Sequence, residues 1–229
     1  MKSKLSLLRA PLAATALAMT LAAPAMALEP FNASYQASAM GMTGDGQMTL
    51  AKQDGDQWQY KLTIRNQLVD LSQSTVFDEQ GGRLRPLSSN DSSRMLVKQK
   101  TVKTNFDWSK KQATWSGDVK PDRAGPVPLQ AGDMDALLVN LAIARDVKDG
   151  KPLHYRMVEG GKIRPMTYKV LGKEEVTVGG KPQQATKVSR VDGKKEMIVW
   201  VVPDVPVPVR MLQRENGADS IDLRIKSVN

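Results

Sequence analysis

Apolar and polar side chains alternate with a period of two along most of the chain, and glycine-containing dipeptides interrupt the alternation. Trp58, Tyr60, Leu62 and Ile64 are interleaved with Gln57, Gln59, Lys61, Thr63 and Arg65. An extended backbone therefore puts large apolar side chains on one face and polar ones on the other. The same spacing makes strands of Phe31, Ala33, Tyr35, Ala37, of Met166, Tyr168, Val170, and of Ile221, Leu223, Ile225. Between such runs stand Asp54-Gly55, Gly179-Gly180, Asp192-Gly193 and Asn216-Gly217, with Gly81-Gly82 and Gly160-Gly161 as looser relatives. Their access to positive φ suits the tight turns that match strand twist. The pattern predicts at least about eight antiparallel strands joined by hairpins.

One segment departs from this period. Met134, Leu137, Leu138, Leu141 and Ala142 follow the i, i+3, i+4, i+7 stripe of an amphipathic helix. The spacing predicts a helix over 133–149, with Asp133 as its cap, Gly150 at its end and Lys151-Pro152 preventing continuation. At a helix start, Asp133 and Asp135 read as capping and dipole-matching groups rather than as a catalytic pair. Residues 117–131 carry Pro121, Pro126, Pro128 and Gly125 with little periodicity and read as a surface linker between a first meander, 31–116, and a second, 152–228. Met197 to Val202 is apolar at odd and even positions alike, which requires cover on both faces. The prolines from Pro203 to Pro208 predict an extended edge or crossover before Arg210 resumes a strand. The expected fold is mainly β: a curved antiparallel sheet or partial barrel wrapped around one principal α-helix, in a single β-rich domain over 28–229.

The first 27 residues change the picture of where this domain works. Lys2, Lys4 and Arg9 precede an alanine-rich apolar run, and Ala25-Met26-Ala27 has the small-x-small pattern that signal peptidase accepts. Export to the periplasm with cleavage after Ala27 is expected, giving a protein that is not integral to the membrane. The chain has no cysteine, so neither lipid attachment at that residue nor disulfides are available. The net charge of +9 falls by three when the leader is removed, and no block of like charge dominates the remainder. That is a solvated basic surface with no call for nucleic acid.

Catalytic constellations are missing. His154 is the only histidine, and it stands as a spacer in an alternating run. There is no Gly-x-Ser-x-Gly elbow, phosphate-binding loop or His-x-x-His metal spacing. A pair of carboxylates of the glycosidase kind is a three-dimensional fact that sequence neither makes nor removes. The expectation is a protein that is not an enzyme and needs no cofactor or metal.

Binding remains. Trp58, Tyr60 and Trp200 on strands, with Leu137, Leu138 and Leu141 on the helix, are the side chains the periods send inward, where they form either a packed core or the wall of a hydrophobic-ligand site. Methionines in strands, such as Met48, Met166, Met197 and Met211, are adaptable enough to coat a pocket for acyl chains. Of Lys98, Lys100 and Lys103, the first two project to one side of a strand, where they either meet anionic headgroups or protect an edge strand from stray pairing.

Several of these segments occur together in one family. The opening Phe31-Asn32-Ala33-Ser34-Tyr35, Gly81-Gly82-Arg83-Leu84-Arg85-Pro86, Phe106-Asp107-Trp108, the helix from Asp135 to Leu141, and Trp200-Val201-Val202-Pro203 followed by Pro208-Val209-Arg210 resemble the bacterial envelope proteins grouped as domain of unknown function 3108. The resemblance runs over nearly the whole chain after the leader and implies a periplasmic, mostly β protein with no assigned activity or site. Pro206 and Pro208 stand where a glycine-containing turn would be expected. A sheet enclosing a helix is also the plan of periplasmic lipoprotein carriers, a likeness of shape alone. Two functions follow: a periplasmic binding protein that holds a lipid or acyl chain, or an interaction module that docks another envelope protein through a sheet face or edge.

Overall fold

The computed structural model describes residues 28–39, 41–95 and 98–229; the leader expected over 1–27 lies outside them. The first half of the chain is a run of hairpins: β1 (Phe31–Ala39), β2 (Met42–Lys52), β3 (Trp58–Arg65), β4 (Val69–Gln80), β5 (Arg83–Met95), β6 (Lys98–Asp107) and β7 (Gln112–Gly117), followed by the short β8 (Val127–Pro128) and β9 (Asp133–Met134). Helix α1 (Ala136–Lys148) comes next. The second half contains β10 (His154–Glu159), β11 (Lys162–Thr167), β12 (Lys169–Val178), β13 (Lys181–Asp192), β14 (Lys195–Val201), β15 (Arg210–Glu215) and β16 (Ala218–Val228). Thirteen strands form one curved antiparallel sheet in the order β12-β13-β14-β15-β16-β1-β2-β3-β4-β5-β6-β7-β8, with β12 and β8 at its edges. The two halves meet where β1 pairs with β16, from Ala33↔Val228 to Ala39↔Ile221.

The alternation places the core. Phe31, Ala33, Tyr35, Ala37 and Ala39 are buried in β1, while Asn32 and Gln36 are exposed. In β3, Tyr60, Leu62 and Ile64 are buried. The helix fills the concave side, packing against β3, β4 and β5 and against β10 and β14. Its stripe is broad, with Leu137, Leu138, Val139, Leu141, Ala142, Ile143 and Ala144 all buried. Burial on nearly every side matches a helix enclosed by sheet. In β14, Ile198, Val199, Trp200 and Val201 are buried in succession, so both faces of this strand are covered. The Trp200 ring lies beneath its cross-strand neighbours Lys187 and Arg210, whose cationic groups stand 5.0 and 4.5 Å from the ring centroid.

Four local expectations need correction. The helix starts at Ala136, not Asp133, and Asp135 is its cap: its carboxylate accepts from Leu138 N–H at 2.8 Å. Asp133 is diverted by Arg156, which donates to it at 2.7 Å, and Asp133-Met134 becomes a strand parallel to β10. The segment over 117–131 is more than a linker, because Pro121–Arg123 forms a turn of 3-10 helix and Val127-Pro128 adds β8 to β7. The second meander is interrupted, since β11, β10 and β9 form their own three-stranded sheet. The proline-rich stretch is neither edge nor crossover. It is a loop joining the neighbours β14 and β15, anchored by buried Val205, Val207 and Val209 and by Tyr35, whose hydroxyl donates to the Pro208 carbonyl at 2.7 Å.

The turn at Gly160-Gly161 shows why glycine is required. Gly161 has φ +70°, and a Cβ there would stand 2.5 Å from the Arg123 carbonyl oxygen. Only the missing side chain lets the β10–β11 hairpin close over the 3-10 turn.

Candidate functional site

Two cavities flank the ends of the helix and differ in chemistry. The first, about 290 Å³, opens at the C-terminal end of α1. Its wall is apolar: Leu28 and Phe31 at the start of the sheet, Leu50 at the end of β2, Leu84 at the start of β5, and Leu141 and Ala144 on the helix. The proline-rich loop closes one side with Val205, and Arg145, Lys148, Glu29 and Asp204 stand at the rim. Arg145 is engaged by Asp146 at 3.0 Å, whereas Lys148 is exposed.

The second cavity, about 340 Å³, lies at the N-terminal end of α1 and has a mixed wall that carries several charged groups. Asp91 from β5, the cap Asp135 and Glu159 from β10 all face it, together with Gln73, Lys100 and Arg164. Burial, reinforced by the negative charges of Asp135 and Glu159, pushes the Asp91 carboxyl up to about 7. Asp135 is raised to about 6, again chiefly by burial; its hydrogen bonds from Thr75 and from the Leu138 amide work in the opposite direction. Two carboxyls therefore exchange protons near neutral pH in one cleft. Among the described residues no group of three His, Cys, Asp or Glu side chains is arranged to hold a metal.

The six side chains assigned from sequence do not share one site. Tyr60, Leu138 and Trp200 lie within the packed core, where the Tyr60 hydroxyl faces the Met48 sulfur at 3.1 Å. Trp58 is half-buried on the margin of that core. Leu137 reaches the second cavity and Leu141 the apolar one. Sequence reasoning missed Leu28, Leu50, Leu84, Ala144 and Val205 as pocket residues. Their inward direction is legible for strand positions, but their convergence at one end of the helix depends on pairings far apart in the chain. It also missed Asp91, because nothing in its Ser-rich neighbourhood signals burial.

A mainly β chain with a large, open antiparallel sheet around one helix belongs to the barrel-like class. Residues 31–224 match the family described as Protein of unknown function (DUF3108), and the chain belongs to that family. Among solved structures it is similar to a beta-barrel-like protein of domain of unknown function DUF1849 from Brucella abortus, at 10% identity and a TM-score of 0.53, covering 87% of this chain and 97% of that one. It is also matched to the MucA/MucB complex of Pseudomonas aeruginosa at 11% identity and a TM-score of 0.40, covering 87% of this chain but 51% of that one. A DUF1329 family protein from Desulfovibrio piger matches at 8% identity and a TM-score of 0.27, covering 90% and 87%. The first of these supports the fold and nothing further. A search of curated proteins finds no relative. Among the described residues no helix is long and apolar enough to cross a membrane.

Proposed function

We propose that this protein is a non-enzymatic binding protein of the periplasm that takes one slender apolar chain, such as the acyl tail of an envelope amphiphile, into the pocket at the C-terminal end of α1. The observation that carries this reading is the pocket's composition: Leu28, Phe31, Leu50, Leu84, Leu141 and Ala144 converge on a cavity of about 290 Å³ that opens to the surface. That size is at the small end for ligand sites, which suits a single chain better than a two-tailed lipid. Lys148 at the rim offers an exposed cation to an anionic headgroup. The leader-like N-terminus supports an envelope address.

The test is titration of the protein, purified without detergent, with a dansyl-labelled fatty acid. Wild type should show saturable fluorescence enhancement. Ala144→Phe, which adds a ring at the pocket wall, should weaken uptake at least tenfold while the far-UV spectrum stays unchanged. No saturable binding by wild type, or equal binding by Ala144→Phe, would overturn the reading and transfer the function to docking of another envelope protein.

A further inference from the structure

The strands β1, β3, β5, β13 and β15 end at the same edge of the large sheet at which β2, β4, β6, β12, β14 and β16 begin. Among the described residues, the large apolar side chains left exposed are Met95, Val170, Leu171 and Val191, at 48% to 67% accessibility. All four sit at that one edge. Met95 ends β5, Val191 is one residue from the end of β13, and Val170 and Leu171 open β12. Met95 also pairs with Val69, which starts β4, so neighbouring turns share the apolar character. Both edges contain glycine turns, Asp192-Gly193 and Asn216-Gly217 at this one and Asp54-Gly55, Gly81-Gly82 and Gly179-Gly180 at the other, but the exposed large apolar side chains are at this one alone among the described residues.

Charge at the apolar edge is equally one-sided. Its carboxylates have basic partners: Asp70 holds Arg65 and Arg94, Asp192 holds Arg190, Glu196 and Asp219 hold Arg214, and Glu215 faces Lys195. Asp118, nearby at the end of β7, accepts the Thr101 backbone N–H at 2.7 Å. Lys98, Lys100, Lys169 and Lys194 have no carboxylate partner among the described residues. The other edge mixes unpaired Asp54, Asp56 and Glu79 with Lys52 and Arg83. Lys98 and Lys100 pair with β5 alone, because β6 meets β7 only from Val102 onward, so they stand on a short stretch of strand that is open on one side. Only its first residues overhang β7.

From this juxtaposition we infer that the edge carrying Met95, Val170, Leu171 and Val191 docks on an anionic lipid surface. Isolated apolar side chains near the strand ends, each beside an unpaired lysine, match an interface in which apolar groups enter the headgroup region and ammonium groups stay with the phosphates. A protein interface would call for desolvated aromatic or arginine anchors. None of the four apolar side chains is aromatic, and the arginines here are tied to carboxylates.

Vesicle co-sedimentation tests this, with the N-terminal segment left as the host processes it in every sample. Wild type should sediment with vesicles containing phosphatidylglycerol, hardly at all with phosphatidylcholine alone, and less as salt rises. Lys98→Gln and Lys194→Gln should each weaken partition roughly fivefold, and Met95→Asp should weaken it further. Lys181→Gln, at the opposite edge, should leave it unchanged. All four positions are exposed or half-exposed, and unchanged far-UV spectra will confirm folding. Equal binding to both vesicle types, equal losses for Lys181→Gln and Lys98→Gln, or capture of a protein partner at this edge without vesicle binding would each overturn the inference. The outcome is independent of acyl-chain uptake, because the apolar pocket is lined by the start of β1, the end of β2 and the start of β5, at the opposite edge of the sheet.

Discussion

Replacing Asp135 separates the two things this carboxylate does. It caps α1 by accepting the Leu138 amide at 2.8 Å, and it accepts the Thr75 hydroxyl at 2.5 Å while being 7% exposed. Asp135→Ala removes the cap, worth about 1 kcal/mol, and leaves the buried Thr75 hydroxyl without a partner, costing a further 1 to 3 kcal/mol or so. The expected loss is about 2 to 4 kcal/mol near pH 4, where the folded carboxyl is mostly protonated, and it shrinks as pH rises toward 8. Asp135→Asn keeps an oxygen for the Leu138 amide and turns an amide nitrogen toward Thr75, whose hydroxyl can accept as well as donate. The charge, however, is gone. Because burial raises the folded carboxyl from 3.8 to about 6, the folded state holds more protons than the unfolded chain between those values. Wild-type stability from this group therefore falls as pH rises through that window and levels off above it. Asn should accordingly match wild type within about 1 kcal/mol near pH 4 and exceed it at pH 8, flattening the pH profile. Urea denaturation across this range checks both. If Asn is as damaging as Ala, or if wild type gains stability between pH 4 and pH 6, the capping and burial argument fails.

Other outcomes follow from the same geometry. Leu138→Ala, in the packed core, should cost about 2 to 5 kcal/mol in chemical denaturation, and Leu141→Ala clearly less, because one side of Leu141 already faces a cavity; equal losses would place Leu141 in sealed packing. Gly161→Ala should destabilise by at least about 2 kcal/mol through positive φ and the clash with the Arg123 backbone, visible as a lowered Tm. Arg156→Ala leaves Asp133, whose side chain is fully buried, without its cation; because Arg156 is itself about a third exposed, a loss of about 2 kcal/mol is expected rather than the full cost of an orphaned buried charge. N-terminal sequencing of the exported protein should begin at Leu28, and an intact Met1 chain in the inner membrane would contradict the leader reading.

How far the sequence carried depended on whether the deciding interaction was local. Alternation in Phe31–Ala37 and Trp58–Ile64, and turns such as Asn216-Gly217, express rules that act within a few residues, and the strands and hairpins follow them closely. The helix was legible from its stripe, yet its start was misplaced by the choice between two nearby aspartates. That choice was made by Arg156, more than twenty residues on, which draws Asp133 into a strand and leaves Asp135 to cap. The proline-rich loop was misread for a similar reason, because Tyr35 and the buried valines fold it back between adjacent strands. The two cavities lay furthest from view. Leu84, Leu141 and Val205 become neighbours only through the pairing order of the sheet, and Asp91 is unremarkable until Asp135 and Glu159 are brought beside it.

The seam between β1 and β16 has a kinetic consequence. Ser34 and Ser227 hydrogen-bond at 2.7 Å across 193 positions of sequence, so β1 finds one of its two neighbours only after almost all of the described chain between them is in place. Each half can zip through short hairpins on its own, since those pairings close small loops, but joining them waits on the largest loop in the molecule. Until then the outer rim of β1 is a bare row of amides and carbonyls. Losing β16 would leave that rim permanently open.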